Sequence, residues 1–428
     1  MIPTKRMCAR RFARGLTTIA VATFALSFGG AHAQQGPIRI GLGISQSGGV
    51  APAGKQLLVA IQIWRDDVNA KGGLLGRQID LVVYDDQSNP SNVPGIYTKM
   101  IDVDKVDLLL GPYATNMVAP AIPVVMQHKK LTIGMMALAA NSQFHYDKYF
   151  SMLPMGPDPK SAMSEGFFEV AKRANPAPKT VAIVAADAEF AQNAADGARI
   201  NAKKFGLNIV YDKSYPPPTQ DFAPIVRAVQ AANPDIVFQG AYPPDTVGFI
   251  RAMNEIGFKP KMYGGAPVGL FITPIKMQLG PLVNGAVVVE SFLNAPTLEF
   301  PGLRDVMRRY QETAKTVGTD LIGYGFVPFG YGAGQVLAAG VEGCKCLNHD
   351  KMADFIRSNE IATIAGKVRF GKDGEWTEAR TITTQFQGVE KTGDVSQFTD
   401  PKKEIVVWPD KFKTGDMVYP MEKAQIKK

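Results

Sequence analysis

Two segments of this chain recur later in the same order, and this repetition limits the folds open to it. Residues 76–85 (GRQIDLVVYD) match residues 206–212 (GLNIVYD). Residues 106–113 (VDLLLGPY) match residues 234–242 (PDIVFQGAY). Each matching segment contains an apolar run of the kind that a strand buried on both faces shows. The repetition therefore predicts two similar lobes in one chain.

Strands alternate with helices in both repeats. Ile38–Ile44 predicts a first strand, and Lys55–Asn69 has apolar residues at helical spacing. In the second repeat, Thr180–Ala185 predicts a strand and Gln192–Phe205 predicts a helix that ends at a glycine. This alternation is typical of a parallel, doubly wound sheet. The predicted fold class is α/β, with a parallel sheet in each lobe.

The N-terminus has the pattern of an export signal. A basic segment without acids precedes an apolar run at Leu16–Phe28, which is too short to cross a bilayer. Ala31-His32-Ala33 supplies a small-x-small cleavage pattern, so residues 1–33 are predicted to be a signal peptide and the mature chain to begin at Gln34. The expected location is the periplasm. The basic residues of this segment are Lys5, Arg6, Arg10, Arg11 and Arg14.

The charge balance excludes one class of function. The 428 residues carry 47 basic and 39 acidic side chains, a net charge of +8. Five of the basic residues lie in the predicted signal peptide, so the mature chain has 42 basic and 39 acidic residues and a net charge of +3. No basic run interleaved with aromatic residues remains after cleavage, and nucleic-acid binding is not expected. A chain of this length suits two or three domains.

The mature chain keeps two cysteines, Cys344 and Cys346. Export makes a disulfide between them plausible. The C-x-C ring is tight, however, so two free thiols remain the alternative. The histidines are scattered and no C-x-x-C pair accompanies them, so neither a metal site nor a cofactor is expected.

One strand end has the features of an anion-binding turn. Leu108–Leu110 breaks at Gly111-Pro112, and Thr115 and Asn116 are good N-caps for a helix over the following residues. Backbone N–H groups at such a helix start attract anions, and ligands of open α/β sheets bind at the carboxyl ends of the strands. The alternative is a plain strand–helix loop whose polar residues only cap the helix. Tyr113 and Tyr242 could likewise line a cleft or pack in the core, as could Phe271 and Phe326.

Several motifs together resemble the periplasmic binding proteins of the leucine/isoleucine/valine type, which deliver ligands to ABC importers. They are the segment DDVNAKGGLLGRQIDLVVYDD, then LLLGP, and DFAPIVRAVQAANPDIVFQG in the second repeat. The resemblance covers nearly all of residues 38–370. It implies a binding protein rather than an enzyme, with a small-molecule ligand and an inner-membrane ABC permease as partners. The glycine spacing after the first strand, G-x-G-x-x-x-x-G, is not that of a dinucleotide loop either.

The resemblance also implies a domain organisation. Two Rossmann-like lobes would be joined by a three-segment hinge. Lobe I would comprise residues 37–152 plus 290–365, and lobe II residues 153–289 plus 366–428. The three crossovers are expected near Tyr149–Met155, Gly285–Pro296 and Ile361–Phe370.

The ligand-binding positions of that family carry over unevenly. A first loop with short hydroxyl residues would hold a carboxylate, and a second loop has alanine at the usual threonine, Ala140. In that family an acidic residue pairs with the ammonium of the ligand. Its position aligns within Gly264–Val268, where this chain has no acid. The residues expected to line the site are Tyr113, Ala114, Thr115, Asn116, Leu138, Ala139, Ala140, Phe190, Tyr242 and Pro267.

The missing acid bears on the ligand. A buried ammonium without a charge partner costs several kcal/mol. Unless Asp187, Glu189 or Asp245 substitutes, an α-amino acid should bind poorly. Ala53 aligns near a position usually held by tyrosine, which predicts a larger cleft. The predicted ligand is an organic or aromatic acid; the alternatives are true branched-chain amino acid binding, or a ligand-binding domain that feeds a sensor.

Overall fold

The computed structural model describes residues 36–217 and 219–425. The predicted signal peptide, residues 1–33, lies outside these ranges. Among the described residues no helix combines the length and apolar character needed to cross a membrane. The same part of the chain contains no group of three or more His, Cys, Asp or Glu side chains able to hold a metal ion.

The first half of the chain builds a small parallel sheet in the order β2–β1–β3. All three residues of its last strand, a run of leucines, are fully buried, as expected for a strand covered on both faces. Two further strands pair in parallel beside it, and a bridge between Tyr113 and Met135 connects them to the end of β3. The strands are β1 Ile38–Ile44, β2 Ile79–Asp85, β3 Leu108–Leu110, β4 Thr132–Gly134 and β5 Tyr149–Ser151.

The second half builds a larger sheet of seven strands in the order β14–β13–β10–β9–β8–β6–β7. Its five strands from β6 to β10 run parallel, whereas β13 pairs antiparallel with β10 and β14 pairs antiparallel with β13 at one edge. A separate hairpin is formed by β11 and β12. The strands are β6 Thr180–Ala186, β7 Asn208–Tyr215, β8 Ile236–Ala241, β9 Met262–Pro267, β10 Val287–Glu290, β11 Ile361–Thr363, β12 Gly366–Val368, β13 Ile382–Phe386 and β14 Glu404–Trp408.

Helices cover both sheets, so the predicted α/β class with parallel sheets is confirmed. The last three helices return to the first half, where α9 and α10 pack against α1, and α11 packs against α10. By contrast, α4 packs against α5 and against the second sheet. The helices are α1 Ala51–Ala70, α2 Val93–Asp102, α3 Thr115–Gln127, α4 Pro159–Lys172, α5 Glu189–Lys204, α6 Ala223–Ala231, α7 Pro243–Ile256, α8 Thr273–Leu279, α9 Leu303–Val317, α10 Val327–Cys344 and α11 His349–Ser358.

Three segments connect the two halves, at residues 152–158, 291–302 and 369–381. The first and third run side by side: the Arg380 N–H donates to the Pro154 carbonyl at 2.8 Å, and the Ser151 N–H donates to the Gly374 carbonyl at 2.8 Å. The β11–β12 hairpin spans the expected boundary between residues 365 and 366, and its first strand packs against α10. The first and third connections are therefore joined to each other by backbone hydrogen bonds.

The structure joins Cys344 to Cys346 in a disulfide at the end of α10. Of the two alternatives that the sequence left open, the bonded pair is therefore the one observed. The bridge joins the last residue of the helix to a residue two positions beyond it, so it constrains the chain only locally.

Glu375 in the third connection is a buried carboxyl group, only 7% exposed. Its Oε2 atom has no hydrogen-bond partner among the described residues. Burial raises the pKa of Glu375 to about 8 from an ordinary value of 4.5. The folded protein therefore keeps this proton up to about pH 8, whereas the unfolded chain releases it near its ordinary pKa.

The free energy of unfolding is therefore expected to fall as the pH rises from about 4.5 to about 8, through Glu375 alone by at most about 1.4 kcal/mol per pH unit. In Glu375→Gln this contribution should vanish, so the variant should be more stable than the parent protein at pH 7.5. Urea unfolding across this pH range measures the difference. The control is Glu378→Gln, which changes an exposed residue of the same segment. If the free energy of unfolding of Glu375→Gln depends on pH as that of the parent protein does, Glu375 does not hold a proton in the folded state.

Candidate functional site

Three helices begin where the strands of the two sheets end. Helix α3 starts at Thr115 after β3, α5 starts at Glu189 after β6, and α7 starts at Pro243 after β8. The carboxyl ends of parallel strands and the helix starts that follow them are where open α/β sheets bind ligands. Hydrogen bonds between α3 and the starts of α5 and α7 bring the edges of the two halves together.

A narrow cavity of about 30 Å³ lies between these helix starts. The described residues of its wall are apolar or aromatic, and none of them is charged. The aromatic rings contact each other in two groups: Tyr113 lies edge-on to Phe326 at 5.6 Å, and Phe190 lies edge-on to Tyr242 at 5.8 Å between ring centroids. The wall residues are Val50, Tyr113, Ala114, Met136, Leu153, Met163, Phe190, Tyr242, Pro243, Val268, Phe271 and Phe326.

Burial keeps both tyrosines of the wall neutral. It raises the pKa of Tyr113 and of Tyr242 above the ordinary value of 10.0. The cavity therefore offers hydroxyl groups and ring faces at neutral pH but no fixed charge. Such a wall suits the apolar body of a ligand.

The chain turns sharply between β3 and α3, and Ala114 makes the turn. Its φ of 72° lies in a region that favours glycine, and its N–H donates to the Met135 carbonyl at 3.1 Å. The Ala114 carbonyl then accepts from Met117 and Val118 in the first turn of the helix. Within the described chain, nothing accepts a hydrogen bond from the N–H groups of Thr115 and Asn116. The turn thus leaves two backbone donors at the start of α3.

Asn116 holds the two halves together. The Tyr242 hydroxyl donates to Asn116 Oδ1 at 2.6 Å, and the Phe190 N–H donates to the same oxygen at 3.2 Å. A third contact joins Asn193 Nδ2 to the Leu138 carbonyl at 2.9 Å. The acceptor of Asn116 is therefore used by the protein itself in this closed arrangement.

The two loops of the first half are connected by Thr115. Its hydroxyl oxygen accepts from the Leu138 N–H at 2.9 Å, and the side chain is fully buried. Leu138 and Ala140 are buried beside this contact, outside the cavity wall. Ala139 lines a different cavity, near Asn141. Of the predicted site residues, Tyr113, Ala114, Phe190 and Tyr242 line the central cavity, whereas Thr115, Asn116, Leu138, Ala139 and Ala140 do not.

The expectation that Pro267 faces the site is off by one residue. Pro267 ends β9 and is buried, and the next residue, Val268, lines the cavity. Ala53 lies inside α1 and is fully buried, so it opens no extra room. The expectation of a larger cleft is therefore not met by this closed arrangement, in which aromatic rings fill the space.

None of the three acids that could have replaced the missing one stands in the cavity wall. Asp187 is exposed to solvent and Glu189 is half-buried. Asp245 accepts hydrogen bonds from the Tyr242 N–H at 3.3 Å and from the Tyr215 hydroxyl at 3.2 Å, so it serves the start of α7. The described wall of the cavity thus offers a ligand ammonium no carboxylate partner.

Sequence reasoning missed six residues of the wall. Leu153 and Met163 lie on the first connection and on α4, a helix whose pattern was not recognised. A signal for α4 was present, since Asp158 and Pro159 precede an apolar pattern at helical spacing and Asp158 caps the helix. The others, Val50, Met136, Pro243 and Val268, each lie within a few residues after a strand or its turn.

Comparisons with known proteins agree with this architecture. The family described as periplasmic binding protein matches residues 37–389. The Leu/Ile/Val-binding protein of Escherichia coli K12 is 22% identical over 341 residues, which are 79% of this chain and 88% of that protein. An amino acid binding protein of Pseudomonas aeruginosa is 24% identical over 379 residues, 86% of this chain and 94% of that protein.

One solved structure is similar over most of its length. It is a solute binding protein of an ABC transporter from R. palustris in complex with 4-hydroxybenzoate, with a TM-score of 0.70, 17% identity, and coverage of 84% of this chain and 94% of that one. At this identity the likeness shows the fold. With the family match over residues 37–389, the two sheets and the three connections, the chain belongs to the periplasmic binding protein family.

Proposed function

We propose that this chain is the ligand-binding component of an ABC importer of the branched-chain-amino-acid type, and that it captures a small carboxylate with an apolar or aromatic body. The observation that carries the proposal is an uncharged, aromatic cavity beside two free backbone donors at the start of α3. In this proposal the chain acts in the periplasm after cleavage near Ala33 and passes its ligand to an inner-membrane permease. It has no catalytic role.

The carboxylate end of the ligand would lie at the start of α3. The N–H groups of Thr115 and Asn116 point out of the first turn, where the positive end of the helix dipole also favours an anion. The Thr115 hydroxyl, which accepts from Leu138, still has a proton to donate. Hydrogen bonds to a charged acceptor are about twice as strong as neutral ones, so this end would orient the ligand.

The body of the ligand would lie among the aromatic rings. Tyr113 and Phe326 provide one group of rings, and Phe190 and Tyr242 the other. An aromatic ligand ring can pack edge-on or offset against such rings, each pair adding about 0.5–1.5 kcal/mol beyond its buried area. A flat aromatic acid therefore fits the wall better than a branched aliphatic chain does.

The wall argues against an α-amino acid. The ammonium of an amino acid would enter a cavity whose described wall has no carboxylate. Burying even an uncharged polar group without a hydrogen bond costs on the order of 2–7 kcal/mol, and burying an unpaired charge costs more. The R. palustris relative is described with 4-hydroxybenzoate. The name of the Escherichia coli relative instead favours leucine, isoleucine and valine, and this is the second candidate for the ligand class.

A thermal-shift screen of the chain from Gln34 onward separates the two classes. We expect 4-hydroxybenzoate or benzoate to raise the melting temperature by about 3 °C or more at 100 times the dissociation constant, because a ligand that binds only the folded state stabilises it. Leucine, isoleucine and valine at the same concentration should have little effect. Stabilisation by these amino acids alone would overturn the ligand class and leave the family unchanged.

Closure of the two halves is part of the proposed mechanism. The cavity is too narrow to admit a benzoate-sized ligand without separation of the halves. Ligand would enter the open form and then favour closure through its contacts to both sides. The hydrogen bond between Tyr242 and Asn116 would hold part of the population closed without ligand.

Tyr242→Phe tests this contact because it removes the hydroxyl and keeps the ring. The loss of about 1 kcal/mol should shift the population toward the open form about fivefold and increase the radius of gyration in small-angle X-ray scattering. The matched control is Tyr211→Phe, a half-buried residue of β7 outside the cavity wall. If Tyr242→Phe and the control give the same scattering profile as the parent protein, the contact does not hold the halves together.

A further inference from the structure

A second cavity, which we call the hinge pocket, lies beside the third connection and has a volume of about 220 Å³. Three separate segments contribute its charged side chains: the β11–β12 hairpin with its flanks, the third connection, and the segment after β14. Four of these side chains are basic and two are acidic, so the pocket carries two excess positive charges. They are Lys367, Arg369, Arg380 and Lys411, with Glu360 and Glu378.

Arg380 is the fixed element of the hinge pocket. Its guanidinium carbon lies 5.1 Å from the Phe300 ring centroid and 4.8 Å from that of Trp376, and one amino group donates to the Ala365 carbonyl. Its Nε–H is buried and has no hydrogen-bond partner among the described residues. Burial alone accounts for the lowering of its pKa, to about 10; no acid offsets it. The guanidinium is therefore a half-buried charge that the described residues leave incompletely compensated.

The acids of the pocket compensate only part of the remaining charge. Glu360 pairs with Lys367 at 2.8 Å. Within the described chain, Arg369 and Lys411 form no ion pair, and both are exposed at the rim. Among the described residues of the lining, Glu378 and the already paired Glu360 are the acids that face Arg369, Arg380 and Lys411. Like charges gathered around a half-buried guanidinium raise the energy of the folded protein unless an anion joins them.

We propose that the hinge pocket binds a small divalent oxyanion, such as phosphate or sulfate, between Arg369, Arg380 and Lys411. Guanidinium groups match the geometry of phosphate and sulfate oxygens with paired N–H donors, and a lysine adds a point charge. The alternative is a hydrated basic surface, but the stacking and burial of Arg380 make its guanidinium unlike a hydrated one. This ligand is distinct from the one proposed for the central cavity.

The test uses inorganic phosphate and inorganic sulfate in a phosphate-free buffer, with ionic strength held constant by sodium chloride. Isothermal titration calorimetry on the parent protein should give saturable binding of at least one of the two anions. Arg369→Ala and Lys411→Ala should each weaken it about tenfold, the usual effect of removing one hydrogen bond to a charged group. Because both side chains are exposed, neither variant should unfold the protein.

The control is Lys203→Ala, which removes an exposed positive charge from α5 outside the pocket. It should bind the anions as the parent protein does. Absence of saturable binding to the parent protein, or equal weakening by all three variants, would overturn the proposal. Because no carboxylate ligand is added, the outcome is independent of the function proposed for the central cavity.

Discussion

Val268→Asp is expected to weaken the binding of 4-hydroxybenzoate at least about 100-fold, which corresponds to about 2.7 kcal/mol. Val268 lines the central cavity and is only half-buried, so an aspartate can be accommodated there. Its carboxylate would repel that of the ligand through a medium of low polarity and would lose hydration when the cavity closes. Isothermal titration calorimetry with 4-hydroxybenzoate measures the loss.

Val268→Asn is the matched control because it has nearly the same shape without the charge. It should weaken binding less than about tenfold, as expected for a polar group that keeps a partial hydrogen-bonding capacity. If both variants lose the same affinity for 4-hydroxybenzoate, the shape of the side chain at position 268 rather than its charge determines the loss. The aspartate would also offer the leucine ammonium a partner, so the affinity for leucine should not fall. If Val268→Asp binds 4-hydroxybenzoate as the parent protein does, the ligand binds at another site.

Gly374→Ala is expected to destabilise the folded protein by about 3 kcal/mol or more. Gly374 has a φ of 74°, and a Cβ atom there would lie 1.9 Å from the Tyr149 carbonyl oxygen. Both partners are backbone, and Ser151 donates to the Gly374 carbonyl next to this contact, so neither side can move without breaking the paired connections. Urea unfolding gives the free energy difference.

Gly371→Ala serves as the control in the same turn. Its φ is not in the left-handed region, and the nearest atom to an added Cβ, the Glu375 carbonyl oxygen, lies 3.6 Å away. The change should remain within about 0.5 kcal/mol, as for most substitutions away from a buried contact. Similar destabilisation by both variants would show that the two connections are not fixed to each other at Gly374.

Several strands could be read from the sequence because their apolar runs are buried, as in β1 and β3. The predicted bounds of β1, Ile38–Ile44, agree with the structure. The repeated segments 106–113 and 234–242 do end in corresponding turns that meet at one cavity. Apolar runs and turn residues are set by neighbours in the sequence, so they can be predicted from the sequence alone.

The cavity wall was harder to predict because it depends on which side chains face each other across the two halves. Pro267 and Val268 differ by one position along the end of β9, and only the second faces the cavity. Asn116 was assigned to the ligand, yet in the closed arrangement its oxygen accepts from Tyr242 and Phe190. Contacts between residues far apart in sequence leave no periodic signal.

A crystal structure of the mature chain with 4-hydroxybenzoate tests the central claim most directly. The proposal predicts that the ligand lies between Tyr113 and Tyr242, with its carboxylate within hydrogen-bond distance of the N–H groups of Thr115 and Asn116. The claim would be contradicted by a ligand bound outside this cavity, or by one whose carboxylate points away from α3.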